Sequence, residues 1–197
     1  MYYKFRSSQR PEFTVDILEN NRLFCSDWRD LNDPMEGTYD TLITGSSPNH
    51  LECVREIYSS KVRLRVCSLS ETYKSHAMWA YYADEFRGAA IELKLPSYAV
   101  TRIDYASGLR IHKWQTDSNP YQIARKILTT KHSDWEAEKE VRVLHDQEFY
   151  ELPPGAIQRV ILGSRATSSF ENAIRNAAGM VPVYRLSVRS GDLHASV

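Results

Sequence analysis

A charged run passes directly into an apolar stretch in the segment Trp135-Glu136-Ala137-Glu138-Lys139-Glu140-Val141-Arg142-Val143-Leu144. If the second half of this segment forms a strand, Glu138, Glu140 and Arg142 share one face, because side chains alternate along a strand. Two carboxylates and a guanidinium are costly to hold at the end of a buried strand. These three groups therefore either pair with one another or bind a ligand.

The length and the charge balance narrow the class of protein. The chain has 197 residues, and its 25 Lys and Arg residues balance its 25 Asp and Glu residues. This length predicts a single domain over residues 1–197 that folds without a disulfide or a bound metal. A balanced charge gives no overall attraction to nucleic acid or to an anionic membrane. Because the sequence shows no signal peptide and no apolar run of membrane length, we expect a cytoplasmic protein with no membrane partner.

The three cysteines, Cys25, Cys53 and Cys67, lie far apart and form no CxxC pair. Their number and spacing predict neither a disulfide framework nor a zinc site. Cys67 lies in an apolar run, which favours a buried structural thiol over a catalytic nucleophile.

Hydrophobic periodicity predicts strands and helices in an irregular order. The predicted strands are 2–6, 23–26, 62–69, 89–95, 102–105, 109–114, 141–144, 159–163 and 181–188, and the predicted helices are 11–20, 50–59, 76–86, 120–130 and 168–178. Strand pairs and single helices mix without regular alternation. This order predicts an α+β domain rather than a doubly wound parallel sheet.

A polar loop, Asn32-Asp33-Pro34-Met35-Glu36-Gly37, carries two carboxylates. In one interpretation, Asp33 binds nearby backbone amides in an Asx-turn and Glu36 is solvated. In the other, the loop borders a ligand pocket and both carboxylates belong to the binding site, since functional groups concentrate on loops.

Aromatic residues recur at helical spacing in the predicted helix 76–86, a few residues after Ser70. Trp79, Tyr82 and Phe86 fall on one face of the predicted helix 76–86, a pattern that is typical of a core. Trp79 and Tyr82 also carry polar groups, which suits a pocket wall that stacks on a planar ring. Ser70, at a strand end, could donate a hydrogen bond to a ligand.

Two further sets of charged residues could take part in catalysis or in ligand binding. Arg142 and Glu140 either form an ion pair on an edge strand, or Arg142 holds Glu140 ionised so that the carboxylate stabilises a developing oxocarbenium ion. Lys4 and Arg6 alternate with aromatic residues on the first strand, so one face of that strand is cationic. These two side chains could anchor a phosphate or a carboxylate, and we expect one of them to face solvent.

A series of motifs spans almost the whole chain: Tyr3-Lys4-Phe5-Arg6, Leu23-Phe24-Cys25-Ser26, Asn32-Asp33-Pro34-Met35-Glu36, Cys67-Ser68-Leu69-Ser70-Glu71, Met78-Trp79-Ala80-Tyr81-Tyr82-Ala83, Gly88, Trp135 with Glu138-Lys139-Glu140-Val141-Arg142, and Val160-Ile161-Leu162-Gly163. Taken in order, these motifs resemble the bacterial domain-of-unknown-function family 2971. That family name carries no established activity.

The layout also resembles, more weakly, the ADP-ribosyltransferase fold. Members of that fold hold NAD with a His or Arg on the first strand, place a Ser or Tyr motif mid-chain and end with a catalytic Glu on a late strand. Lys4 or Arg6 matches the first element, Ser70 or Tyr82 the second, and Glu140 the third. The resemblance implies a mixed or antiparallel split β-sheet core flanked by short helices.

The same resemblance implies NAD as a substrate, and no metal is expected. Glu140 would stabilise the oxocarbenium ion, while Glu138, as the first member of a biglutamate motif, would help activate the acceptor. Trp79 or Tyr82 would stack on nicotinamide, and Arg142 would belong to the same binding site. The expected partners are a nucleotide-type small molecule and a protein or nucleic-acid acceptor, in a toxin or phage-defence role.

Two other functions compete with this one. A metal-dependent nuclease could use Asp33, Glu36 and Glu138 as Mg²⁺ ligands and Lys139 to activate water. Against it, Lys139 would point away from the Glu138 face, and the chain carries no net positive charge. A catalytically silent module would bind a nucleotide or a partner protein, because pairing with Arg142 leaves Glu140 no free carboxylate for chemistry.

Overall fold

The computed structural model describes residues 1–42, 48–107, 110–112 and 119–196. The helices within these ranges are α1 (Pro11–Asn20), α2 (Pro48–Arg63), α3 (His76–Tyr82), α4 (Pro120–Ile127) and α5 (Ser168–Ala178). The strands are β1 (Tyr2–Arg6), β2 (Arg22–Phe24), β3 (Ser26–Asp27), β4 (Asp40–Leu42), β5 (Arg65–Ser70), β6 (Ala89–Leu93), β7 (Thr101–Arg102), β8 (Asp104–Ala106), β9 (Arg110–His112), β10 (Thr130–His132), β11 (Glu140–His145), β12 (Phe149–Glu151), β13 (Ile157–Leu162), β14 (Val183–Arg189) and β15 (Asp192–Ser196). The predicted α+β class is confirmed.

One large mixed sheet organises the domain. Its strands follow the order β15-β14-β13-β6-β1-β5-β11-β7, and β3 also pairs with β5. The β13–β14 pair is parallel, and the other pairs in this sheet are antiparallel. Three two-stranded pairs accompany it in the described ranges, formed by β2 with β12, β4 with β9, and β8 with β10.

The large sheet is open between β1 and β5. β1 pairs with β6 along its whole length, from Tyr2 to Arg6, but it pairs with β5 only at Tyr3 and Ser70. The other end of β5 pairs with β3, where Val66 lies opposite Ser26. Beyond Tyr3 the neighbouring strands therefore leave a gap in the hydrogen-bonded ladder.

Apolar side chains cover both faces of the sheet. On one face, Ile17 of α1 and Ile174 of α5 pack in the same cluster as Ile91 of β6. On the other face, Phe5 of β1 packs against Trp79 of α3. Because side chains alternate along β1, Lys4 and Arg6 lie on the α1 face, opposite Phe5 and Trp79.

Several predicted boundaries differ from those of the structure. The predicted helix 76–86 ends at Tyr82, because Asp84, Glu85 and Phe86 adopt positive φ angles of 50°, 52° and 69°. The predicted strand 62–69 begins at Arg65, since α2 continues to Arg63. Of the predicted strand 109–114, the structure describes residues 110–112, which form β9, and the remainder lies outside the described residues.

The predicted strand 23–26 divides into β2 and β3, because β2 pairs with β12 whereas β3 pairs with β5. The sequence patterns also missed β4, β10, β12 and β15, which are only three to five residues long. None of the described helices combines the length and the apolar character needed to cross a lipid bilayer.

Gly88 fixes the approach of β6 to the end of β1. A Cβ at this position would lie 2.0 Å from the carbonyl oxygen of Arg6 and 3.0 Å from that of Ala83. Both contacts are to backbone, which cannot move aside as a side chain can.

We expect Gly88→Ala to lower the free energy of unfolding by more than about 3 kcal/mol, which is above the usual cost of overpacking. Urea unfolding would measure the loss. Gly155→Ala is the matched control: Gly155 has φ +71° and open space around a Cβ, so its replacement costs only the roughly 1–2 kcal/mol of a left-handed alanine. Equal losses in the two variants would contradict this packing.

Candidate functional site

A cavity of about 900 Å³ lies at the gap between β1 and β5, and its lining residues come from both faces of the sheet. Basic side chains of β1 and of the start of α1 line one wall. Acidic side chains of the 32–37 loop, the 133–138 segment and β11 line another. Aromatic rings, including Phe13, Phe24 and Tyr82, complete the lining. The cavity thus brings groups of opposite charge to one enclosed space.

The basic wall contains Lys4, Arg6 and Arg10. Lys4 spans the gap in the sheet, since its Nζ donates to the carbonyl of Ser68 at 2.9 Å. The Arg6 Nε atom is buried and has no hydrogen-bond partner in the structure. Both residues of β1 line the cavity, so the expectation that one of them faces solvent is wrong. Burial lowers the pKa of Lys4, which therefore gains from an anion placed beside it.

Arg10 lies at the mouth of the cavity, where it stands over an aromatic ring. Its guanidinium carbon is 4.9 Å from the centre of the Phe13 ring, and that of Arg6 is 5.8 Å from the same centre. Arg10 also pairs with Glu12 in an exposed ion pair. The mouth of the cavity therefore presents a flat aromatic ring with guanidinium groups close to it.

Lys131 lies at the centre of the acidic wall. Its Nζ is 2.7 Å from Glu138 Oε2, 3.0 Å from Glu140 Oε2 and 3.5 Å from Glu36 Oε1. The side chain is almost wholly buried. Sequence reasoning did not assign Lys131 to the site; the available signal was a lone cation seven residues before Glu138. This ammonium supplies the positive charge that three neighbouring buried carboxylates require.

Arg142 binds two of these three carboxylates, those of Glu140 and Glu36. Its Nε donates to Glu140 Oε1 at 2.6 Å, its Nη2 donates to Glu36 Oε1 at 2.6 Å, and its Nη1 donates to the Leu128 carbonyl at 2.7 Å. The predicted pairing of Arg142 with Glu140 is confirmed. This ion pair does not lie on an edge strand, however, because β11 pairs with β5 on one side and with β7 on the other. Arg142 itself does not line the cavity.

The 32–37 loop combines the two interpretations of its sequence. Asp33 Oδ1 accepts from the Met35 amide at 2.9 Å, which confirms the predicted Asx-turn. Asp33 does not line the cavity, so its place in a binding site stays a prediction. Glu36 is buried rather than solvated, because Arg142 and Lys131 draw it inward, and it lines the cavity.

Glu138 reaches the cluster by a route that the strand pattern did not predict. It ends the 3₁₀-helix Ser133–Glu138, and Lys139 follows with φ 47°, so β11 begins only at Glu140. The expectation that Glu138 shares a strand face with Glu140 is therefore wrong. Glu138 nevertheless lies beside Glu140, because Lys131 binds both and the Tyr82 hydroxyl donates to Glu138 Oε1 at 2.5 Å.

The charges of the cluster favour an ionised Glu140. Burial opposes ionisation of this carboxyl group, but the charges and hydrogen bonds of Arg142 and the charge of Lys131 outweigh burial and lower its pKa to about 2. For Tyr82, burial and the hydrogen bond to Glu138 raise the pKa, so its hydroxyl stays protonated and donates. The acidic wall thus presents a carboxylate, not a carboxylic acid, at neutral pH.

Two predicted site residues lie in the core instead. Trp79 is fully buried between Phe5 and Phe86, and its Nε1 donates to the Tyr73 carbonyl at 2.6 Å. The fully buried ring of Trp79 does not line the cavity. Ser70 is also fully buried, and its hydroxyl donates to the Glu138 carbonyl at 2.7 Å. It orients the backbone before Glu140 and does not line the cavity.

The thiols and the acidic groups of the described residues form no candidate metal site. Cys25 and Cys67 are buried free thiols, as predicted for Cys67. Within the described ranges, the structure shows no group of three or more His, Cys, Asp or Glu residues placed to hold a metal ion. The carboxylates of the acidic wall surround the ammonium of Lys131, which stands where a bound cation would otherwise lie.

Comparison of the chain with protein-family models, with curated protein sequences and with solved structures gives no significant match. The resemblances to family 2971 and to the ADP-ribosyltransferase fold stay predictions from the sequence motifs. Function therefore has to be argued from the geometry of the cavity.

The buried position of Arg142 predicts a large effect of its removal on stability. We expect Arg142→Met to lower the free energy of unfolding by about 3–5 kcal/mol, because Glu36 and Glu140 then stay buried without this partner. Chemical denaturation would measure the difference. The matched control is Arg102→Met on the neighbouring strand, whose ion pair with Glu71 is 81% exposed on the arginine side and should contribute at most about 1 kcal/mol. Similar losses in both variants would refute the buried pairing.

The lowered pKa of Glu140 predicts acid sensitivity over a defined range. Its pKa is about 2 in the folded protein against an ordinary value of 4.5, so its ionisation stabilises the fold fully above pH 4.5. That stability is lost as the pH falls toward 2. Urea unfolding at a series of pH values should show a shallower decline for Glu140→Gln than for wild type. The exposed Glu136→Gln should keep the wild-type slope, and a Glu140→Gln slope equal to it would contradict the assignment.

Proposed function

We propose that the protein binds NAD in this cavity, breaks the nicotinamide–ribose bond and transfers ADP-ribose to a protein or nucleic-acid acceptor in the cytoplasm. One observation carries the proposal: the ionised Glu140 and its neighbour Glu138 line the same cavity as Lys4, Arg6 and the aromatic rings. A diphosphate needs cations, a base or a nicotinamide ring needs flat apolar surface, and a developing carbocation needs a fixed carboxylate.

The basic wall supports binding of the diphosphate. Arg6 has an unpartnered buried Nε donor, and Lys4 donates to the Ser68 carbonyl and lies beside the Cys67 thiol without a carboxylate partner among the described residues, so both cations can donate to phosphate oxygens. Arg10 beside Phe13 offers a ring and a cation at the mouth for the distal nucleoside. Among the predicted stacking residues, Tyr82 remains in the cavity lining and Trp79 does not.

The acidic wall supports the bond-breaking step. When the bond from ribose C1′ to the nicotinamide nitrogen breaks, its electron pair leaves with neutral nicotinamide and positive charge develops on the ribose. Glu140, held ionised by Arg142 and Lys131, would stabilise that charge. The acceptor nucleophile then bonds to C1′, and its proton passes to Glu138. Lys131 and Tyr82 hold Glu138 in place for this transfer.

A binding module without turnover is the second candidate. Both oxygens of Glu140 already accept hydrogen bonds, Oε1 from Arg142 and Oε2 from Lys131, and this favours a structural carboxylate. The metal-dependent nuclease has weaker support. Lys131 sits among the carboxylates that would hold Mg²⁺, and Lys139 is exposed at a left-handed turn rather than in the cavity lining.

The test is release of nicotinamide from NAD by the purified protein, with and without cell lysate as a source of acceptors. We expect Glu140→Gln to reduce the rate by about 100-fold or more, because the amide cannot supply the negative charge. Glu136→Gln is the matched control, since Glu136 is exposed, lies four residues earlier and does not line the cavity. Thermal melts would confirm that both variants are folded.

Undiminished release by a folded Glu140→Gln would remove Glu140 from the chemistry. Saturable NAD binding without release under any condition would instead establish the binding module. Absence of both binding and release would refute the NAD proposal.

A further inference from the structure

One carboxylate oxygen of the acidic wall lacks a partner. Glu36 Oε1 accepts from Arg142 and lies 3.5 Å from Lys131, but Glu36 Oε2 is buried and has no hydrogen-bond partner. Glu36 is 5% exposed and lines the cavity. A buried polar atom without a partner costs free energy, and a ligand that supplies positive charge or a donor would recover it.

The charges of the cluster do not balance. Glu36, Glu138 and Glu140 contribute three carboxylates, while Lys131 and Arg142 contribute two cations. The acidic wall therefore holds one more carboxylate than it holds cations, among side chains that are almost wholly buried. The opposite wall carries Lys4, Arg6 and Arg10 together with Glu12 and Asp16, so cations exceed carboxylates there by one. The cavity is therefore charged with opposite signs at its two walls.

We infer that this cavity selects a ligand that is positive at one end and negative at the other, and that Glu36 recognises the positive end. This inference rests on the proposed function and names the oxidation state of the dinucleotide. Oxidised NAD carries a pyridinium cation beside its diphosphate, whereas NADH has an uncharged dihydronicotinamide ring. Glu36 is then a specificity-determining residue that favours the oxidised form over the reduced form.

The position of Glu36 suits recognition of the positive end of the ligand rather than a part in the bond-breaking step. Its loop holds it through the Asx-turn at Asp33, and Arg142 fixes Oε1 to the strand that carries Glu140. Of the three acidic side chains, Glu36 alone retains an oxygen with no partner, while Glu138 and Glu140 have both oxygens engaged. An incoming cation therefore finds its free acceptor at Glu36.

The test compares the affinities of NAD and NADH for the full-length protein. Calorimetry at low temperature without acceptor would measure both affinities, and chromatography would confirm that NAD stays intact. We expect wild type to bind NAD about tenfold more tightly than NADH, since one close charge pair in a partly buried site is worth roughly that factor. Glu36→Gln should bind both forms with similar affinity, at the NADH level of wild type. Glu136→Gln should keep the wild-type preference, and thermal melts would show that each variant is folded.

The wild-type comparison does not depend on whether Glu36→Gln folds. Equal affinities of wild type for NAD and NADH would overturn the inference and leave the proposed NAD-cleaving function intact. A preference for NAD that persists in folded Glu36→Gln would overturn the role of Glu36. Failure of wild type to bind either dinucleotide at millimolar concentration would overturn both the inference and the proposed function.

Discussion

The guanidinium of Arg142 joins three parts of the fold that are distant in the sequence. It is buried in the sheet and binds Glu140 on its own strand, Glu36 in the loop before β4 and the Leu128 carbonyl at the end of α4. A buried cation without partners would cost several kcal/mol, and the same holds for each carboxylate without the cation. The pairing of these buried charges, together with apolar packing, consequently holds the loop, the helix end and the strand in one arrangement.

The shape of the cavity comes from the sheet and its charge comes from this network. β1 and β5 share a single ladder position, and the Lys4 side chain spans part of the space that backbone hydrogen bonds would otherwise close. On the far side of that space, Lys131 keeps three carboxylates together that would repel one another in its absence. An irregularity in the ladder and a paired charge cluster thus border the same cavity.

Sequence patterns predicted the parts of the site that follow strand alternation. Arg142 lies on a regular strand, so the period of two placed it correctly beside Glu140. The same period placed Lys4 and Arg6 together on one face of β1. Lys131 lies on a strand of three residues, which is too short for a periodic signal. Lys139 takes a left-handed conformation without being Gly or Asn, so no turn signal marked the break before β11. Trp79 shows that an amphipathic helix reveals its buried face but not which side of the sheet it covers.

The contact between Glu36 and Arg142 joins residues 106 positions apart in the chain. β1 also lies in the interior of the sheet, between strands that follow it by more than 60 residues. Contacts this far apart in sequence form late, since the entropy of closing the intervening loop has to be overcome first. A nascent chain on the ribosome consequently has no acidic wall until β11 has emerged, and any activity of the cavity appears only after that point in synthesis.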